Sequence, residues 1–269
     1  MQIGIGTYAL AWSIGVPGTS PPDPMDVFHF LEFVHNKNVS LVQIADNLPL
    51  HILSRQDLAL VHSKSQELGI GIEVGTRGLM PENVRKYLEI TSYLKSGILR
   101  VVIDALDFTP DLDKINRIID DLVPELKQRN VKLAIENHDR LRSQQFKEII
   151  VNADSDMVGI CLDPVNSIGA DEGFNSVFET LAPHTINLHL KDYVIRRKSH
   201  MMGFDIYGAP AGQGMMPVNK VLKTLKMYGK TKSIILELWP PPEDTIQKTI
   251  EKEKIWIHES IDYLNNLDI

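Results

Sequence analysis

The chain has 269 residues, 43% of them hydrophobic and 23% charged, and carries a formal net charge of −7. Such a composition is globular, and the negative balance disfavours non-specific attraction to nucleic acid or to an anionic membrane surface. Cys161, the single cysteine, excludes an internal disulfide, and with no apolar run of roughly 20 residues and no leader-like start, the expectation is a cytoplasmic chain without a membrane partner.

Short apolar runs alternate with longer amphipathic stretches along the whole chain. The predicted strands are "IGIGTY" (3–8), "LVQIAD" (41–46), "IGIEVG" (70–75), "ILRVVIDA" (98–105), "VKLAIE" (131–136), "MVGICLD" (157–163), "TINLHLKD" (185–192) and "SIILELW" (233–239). Between them lie segments of helical period, such as "MDVFHFLEFVHNKN" and "LDKINRIIDDLVPELKQRN". Strands that alternate with helices form a parallel sheet covered on its outer face, and eight such units predict a closed (β/α)8 TIM barrel, a single domain over residues 1–269. The two Pro-rich pieces, 15–24 and 239–244, follow strands and read as rim loops. "TIQKTIEKEKIWIHESIDYLNNL" is the helix that closes the barrel.

One connection is too long for a turn. From Tyr193 to Met216 the chain reads "YVIRRKSHMMGFDIYGAPAGQGMM", with little periodicity, and is expected to be a lid-like loop after the seventh strand. Its "GAPAGQG" lacks the G-x-x-x-x-G-K-[ST] pattern of a phosphate loop and reads as a flexible part of the lid.

Barrel enzymes carry their chemistry at the C-terminal ends of the strands. Here the fifth strand ends on Glu136, the sixth on Asp163, the seventh carries His189, and the eighth carries Glu237. Taken singly, an acid at a strand end is as often a helix cap as a ligand. Arriving at four consecutive strand ends, three carboxylates and one imidazole suit a divalent ion with oxygen-rich coordination, Mn²⁺, Mg²⁺ or Co²⁺, better than Zn²⁺.

"IENH", "CLDP", "LHLKD" and "ILELW" at this spacing resemble the sugar-phosphate isomerase/epimerase superfamily. These are xylose-isomerase-like TIM barrels that include keto-sugar 3-epimerases, hydroxypyruvate isomerase, inosose dehydratase and a class of apurinic endonucleases. The resemblance implies that Glu136, Asp163, His189 and Glu237 are metal ligands, and that Glu136 and Glu237 exchange protons with a substrate carbon. It also implies a small sugar or sugar-acid substrate and assembly as a homo-dimer or tetramer. One departure is plain: the epimerases place a histidine three residues after the strand-six aspartate, where this chain has Asn166. An amide can bind a hydroxyl but cannot act as an acid or base near neutral pH.

Other rim residues suggest an anionic substrate. Arg77, Lys191 and Arg197 are cations near strand ends or in the long loop, and His138, Asn166 and Gln213 are further candidate substrate contacts. Each could equally be a solvated surface group. Trp12 and Trp239 could form an apolar wall or pack beneath loops.

The first functional reading is a metal-dependent isomerase or epimerase acting through an enediolate. The second is a lyase on the same scaffold, decarboxylating a 3-oxo sugar acid or dehydrating a keto-inositol; the long Met- and Gly-containing loop resembles that of 3-oxo-isoapionate decarboxylase. An apurinic endonuclease needs extra histidines after the second and third strands, where only His51 is near. A barrel that only binds its ligand would not need both glutamates.

Overall fold

The computed structural model describes residues 1–267, so the last two positions of the expected 1–269 domain lie outside the described residues. Its centre is a closed parallel barrel of β1 (Gln2–Gly6), β2 (Leu41–Ile44), β3 (Gly71–Arg77), β4 (Ile98–Val102), β5 (Lys132–Glu136), β6 (Val158–Leu162), β7 (Thr185–Leu190) and β10 (Ser233–Leu236). Neighbours run in the order β1-β10-β7-β6-β5-β4-β3-β2. Every residue of β2, β4, β6, β7 and β10 is buried, because helices cover the outer face and side chains fill the inner one.

The covering helices are a short turn α1 (Ala11–Ile14), then α2 (Val27–His35), α3 (Arg55–Glu67), α4 (Pro81–Tyr93), α5 (Leu112–Arg129), α6 (Ser143–Ala153), α7 (Phe174–Leu181), α8 (Val218–Tyr228) and α9 (Ile246–Asn265). Local chemistry sets their ends. Asp26 and Asp111 accept backbone N–H bonds as N-caps of α2 and α5. Ser54 and Asp57 form a reciprocal capping box on α3. α5 buries Ile115, Ile118, Ile119, Leu122 and Leu126 along one stripe at helical spacing. α9 buries Glu253, whose carboxylate accepts from Trp12 N at 2.8 Å, Ser13 N at 3.0 Å and Ser13 Oγ at 2.7 Å. This pins α1, and with it Trp12, to the barrel rim.

The stretch expected to be an unstructured lid is a β-hairpin. β8 (Asp192–Arg197) pairs antiparallel with β9 (Phe204–Ala209), so the predicted strand 185–192 breaks at Lys191 into a barrel strand and a hairpin strand. The glycine-rich turn that follows is anchored rather than loose. Buried Asp192 accepts from the backbone N–H groups of Tyr193, Gly212, Gly214 and Met216, so the chain wraps around one carboxylate. Gly214 is required there, since a Cβ would overlap Asp192.

Half-way up the barrel the interior is polar. Glu73 accepts from Gln43 Nε2 at 3.1 Å and Asn187 Nδ2 at 3.0 Å, and Ser233 Oγ donates to its other oxygen at 2.5 Å. Burial pushes the Glu73 carboxyl above its ordinary range, against the pull of these donors. Cys161 Sγ donates to Asn187 Oδ1 in the same layer. This satisfied network is the floor on which the ends of the strands stand.

Candidate active site

Each of the four strand-end residues reaches the barrel mouth because the backbone leaves the parallel ladder at or just after it. Glu136 closes β5 and is 1% exposed; Asp163 and Glu237 lie one residue past β6 and β10; His189 is the penultimate residue of β7 and fully buried. His189 Nδ1 lies 3.2 Å from Glu237 Oε1 and 3.4 Å from Glu136 Oε2. The ligand atoms of Asp163, His189 and Glu237 fall within 4.8 Å of one another.

The orientation of His189 is fixed from below. Gln43 Nε2 is committed as a donor to Glu73 and to Asn187 Oδ1, so Gln43 Oε1 is the acceptor for His189 Nε2–H, at 2.7 Å. Nδ1 is therefore turned toward two carboxylates, where it makes no hydrogen bond. An imidazole nitrogen facing two carboxylate oxygens needs a proton or a metal cation between them. Asp163 Oδ2 is likewise buried and meets only the Lys191 ammonium, at 2.7 Å, while its Oδ1 accepts from Val165 N at 2.9 Å and Asn166 N at 3.2 Å. Hard oxygen donors with one imidazole fit a divalent ion of the Mg²⁺ or Mn²⁺ type.

Lys191 and Arg100 supply positive charge to the carboxylates. Lys191 Nζ sits 2.7 Å from Asp163 Oδ2 and 3.0 Å from Glu237 Oε2. Burial alone would push the ammonium down, but Asp163, Glu237 and Glu136 outweigh it and raise it far above the usual lysine range. For Glu237, burial pushes upward, yet His189, Lys191 and Arg100 win and lower the carboxyl to about 2. Arg100, 2% exposed on β4, donates through Nε to Glu136 Oε2 and pairs through Nη1 with Asp46 Oδ1 at 2.9 Å. Asn166 Nδ2 donates to Glu136 Oε1 at 2.8 Å, so both oxygens of Glu136 are engaged by protein donors.

A second polar chain leads outward from Asp46. Its Oδ2 accepts from Tyr8 OH at 3.0 Å and from Arg77 Nε at 3.3 Å, and Arg77 Nη2 lies 3.3 Å from His138 Nε2. Arg77 and His138 thus stand at the mouth, joined to the site through Asp46 and Arg100. Two other candidates are placed elsewhere. Arg197 stacks on Phe204 in the hairpin and donates to Met201 O. Gln213 donates to Glu259 on α9 at 3.0 Å, because the anchored glycine turn faces that helix.

Sequence reading passed over Arg100, Asp46, Gln43 and Tyr8. The signal was present in "ILRVV" and "LVQI", where one polar residue interrupts an otherwise buried strand. Such a residue must find a partner inside the barrel.

Above the carboxylates, the rim forms a cleft in two parts that share Lys191, Ile206 and Trp239. One part, about 290 Å³, runs toward Asn166 and Asp139. The other, about 480 Å³, is walled by Tyr8, Trp12, Leu238 and Pro240. Both indole N–H groups are used within the protein, Trp12 on Pro240 O and Trp239 on Asp192 O, so the rings present apolar faces. A larger cleft of about 620 Å³ lies between the outer face of the hairpin and α9, lined by Arg196, Lys252 and Trp256. None of the four candidate ligands lines any of these clefts; Lys191 borders the first two and is absent from the third.

Residues 80–260 match the family model described as xylose isomerase-like TIM barrel, and the chain belongs to that family. It is 28% identical over 264 residues to the 3-oxo-isoapionate decarboxylase of Pectobacterium atrosepticum, covering 98% of this chain and 95% of the relative. Among solved structures it is similar to the D-psicose 3-epimerase of Clostridium cellulolyticum H10 with D-tagatose, at a TM-score of 0.71 and 15% identity, over 98% and 97% of the two chains. A xylose isomerase-like protein from Mycobacterium smegmatis in complex with magnesium matches at a TM-score of 0.67 and 14% identity, again over 98% and 97%. At these identities the solved structures share the fold. Among the described residues no helix is long and apolar enough to cross a membrane.

Proposed function

As a member of the xylose isomerase-like TIM barrel family, this protein is, we propose, a divalent-metal-dependent lyase that decarboxylates a 3-oxo sugar acid. The observation that carries the choice is the state of Glu136. Two-base epimerisation asks one carboxylate to take a proton from carbon while a second returns it from the other face. Here Arg100 and Asn166 occupy both oxygens of Glu136, and Asn166 stands where the epimerases carry a histidine. Decarboxylation asks for less. The bond between the carboxylate carbon and its neighbour breaks, the electron pair moves onto the 3-oxo oxygen, CO₂ departs, and the neighbouring carbon takes up one proton.

Asp163, His189 and Glu237 would hold the ion, with Glu136 beside it. A divalent ion bound there supplies electrophilic stabilisation of the negative charge that builds on the substrate oxygens. Lys191, which lines both parts of the cleft, can orient the substrate carboxylate. Asn166 can bind a hydroxyl at the reacting end. The faces of Trp12, Trp239 and Ile206 exclude water around the departing carboxylate, whose charge passes to the 3-oxo oxygen in the step. The name of the Pectobacterium relative supports the same reaction.

The competing reading is epimerisation or isomerisation of a keto-sugar, favoured by the retention of two glutamates at the strand ends. One experiment separates them. Mn²⁺-loaded protein is incubated in D₂O with 3-oxo sugar acids and, separately, with keto-sugars. The proposal expects CO₂ release with one deuterium in the product from the acids. Deuterium entering a keto-sugar carbon, with no CO₂ from any acid, would replace the lyase reading with the isomerase one.

A further inference from the structure

Lys191 stands among the residues that would hold the ion, and its position has a consequence for how the ion enters. Its ammonium bridges Asp163 Oδ2 at 2.7 Å and Glu237 Oε2 at 3.0 Å, two of the oxygens a divalent ion would need. The ammonium is the polar partner of Asp163 Oδ2, while the other oxygen of Asp163 is fixed by two backbone N–H groups. We propose that Lys191 is an internal counter-ion: its ammonium holds Asp163 and Glu237 together before the divalent ion arrives, and is driven into the cleft when the ion takes those oxygens. This inference rests on the reading of these residues as a divalent-ion site.

Two observations independent of the ion pair make the exchange physically open. First, Lys191 sits at the boundary of the cleft: its side chain is 15% exposed while those of Asp163 and Glu237 are 0% and 2% exposed, and it lines both parts of the cleft, about 290 and 480 Å³. The long aliphatic stem has adjoining space to turn into, whereas the carboxylates do not. Second, Asn166 Oδ1 lies 3.5 Å from Nζ on the cleft side and offers the leaving ammonium a first acceptor. An ammonium and a divalent cation cannot share the same two oxygens at contact distance, because the repulsion between them grows in a poorly solvated site. The side with mobility yields. Displaced Lys191 then points a cation into the cleft, where an anionic substrate group can meet it, so ion binding prepares the anion site and substrate follows the ion.

The test uses the full chain, stripped of metal by chelation, with Mn²⁺ as the probe. Primary amines are acylated briefly with and without Mn²⁺, and labelling at each lysine is read by peptide mass spectrometry. Lys191 labelling is expected to rise several-fold on Mn²⁺ addition, while Lys220 and Lys223, on α8 away from the site, stay unchanged. Calorimetric titration of Lys191→Met should show Mn²⁺ binding about tenfold or more tighter than in the unsubstituted protein, since the competing charge is gone. Mn²⁺ that binds while Lys191 labelling stays constant or falls would overturn the exchange and leave the ion site standing. No saturable Mn²⁺ binding by the unsubstituted protein would overturn the ion site and this inference with it. Because the labelling is done without any substitution, a failure of Lys191→Met to fold leaves the test intact.

Discussion

Glu136 and Glu237 are the same residue at two strand ends of one barrel, yet their surroundings differ. Glu136 is held by two permanent donors, Arg100 inside the barrel and Asn166 at the rim. Glu237 is held by Lys191, a flexible side chain that borders open space, and its other oxygen faces His189 Nδ1 without a hydrogen bond. One carboxylate is tied to Arg100 and Asn166, the other to a cation at the edge of the cleft. A symmetric pair of strand-end glutamates in the sequence is therefore an asymmetric pair in its surroundings, and that asymmetry is the ground on which we propose bond cleavage rather than two-base proton exchange.

The comparison can be broken most forcefully at the Glu237 side. Glu237→Gln and Asp163→Asn each remove a charge from the proposed ion site and should lower turnover on the order of 10³-fold; Mn²⁺ titration read beside turnover should show affinity falling with rate. Next comes the Glu136 side. Arg100→Met leaves buried Glu136 without its cation and half-buried Asp46 with Arg77 alone, and should cost about 3–5 kcal/mol of stability, read as a lower urea midpoint. A variant as stable as the unsubstituted protein would mean that Arg100 does not hold Glu136.

Gln43→Leu acts on neither glutamate but removes the acceptor that turns His189. Mn²⁺ affinity should weaken about 10–100-fold, with the nitrogen-15 spectrum of His189 losing its Nε2–H preference. Unchanged affinity would show that the imidazole is oriented by its neighbours in β7 and β10 alone.

A smaller effect comes from Glu253, which pins the Trp12 side of the cleft. Burial raises its carboxyl from 4.5 to about 7, even though Ser13 and the backbone of Trp12 and Ser13 pull the other way. Since the folded protein holds that proton more tightly than the unfolded chain, the contribution is complete below the unfolded value and is lost as pH rises through 7. The unfolding free energy of the unsubstituted protein, from urea titration, should fall between pH 5 and pH 8 by an amount on the order of 1–2 kcal/mol, and Glu253→Gln should flatten that fall. The smallest effect belongs to Gln213→Ala, within about 0.5 kcal/mol of the original stability, because its partner Glu259 is an exposed group.

Much of this was legible in the chain. The eight barrel strands appear where apolar runs predicted them, since a strand buried on both faces has to read as an unbroken apolar segment. That Glu136, Asp163, His189 and Glu237 would meet was readable because strand ends in a barrel converge on one mouth whatever the loops do. Partnerships were harder. Nothing in "LHLKD" says that Lys191 turns between Asp163 and Glu237, since that depends on two strands distant in sequence. The hairpin of 192–209 was missed because its outward strand, "DYVIRR", is half exposed and ends in charge, whereas its packing comes from one buried aspartate collecting backbone donors. Arg197 and Gln213 looked like substrate contacts only while that segment was taken for a loop over the cleft.

The most direct measurement of the central claim is the structure of the Mn²⁺-soaked protein, with the ion placed by its anomalous scattering. The account predicts one ion at the barrel mouth, touching Asp163, His189 and Glu237 and bordered by Glu136. An ion held elsewhere, or Lys191 still bridging Asp163 and Glu237 under saturating Mn²⁺, would contradict it.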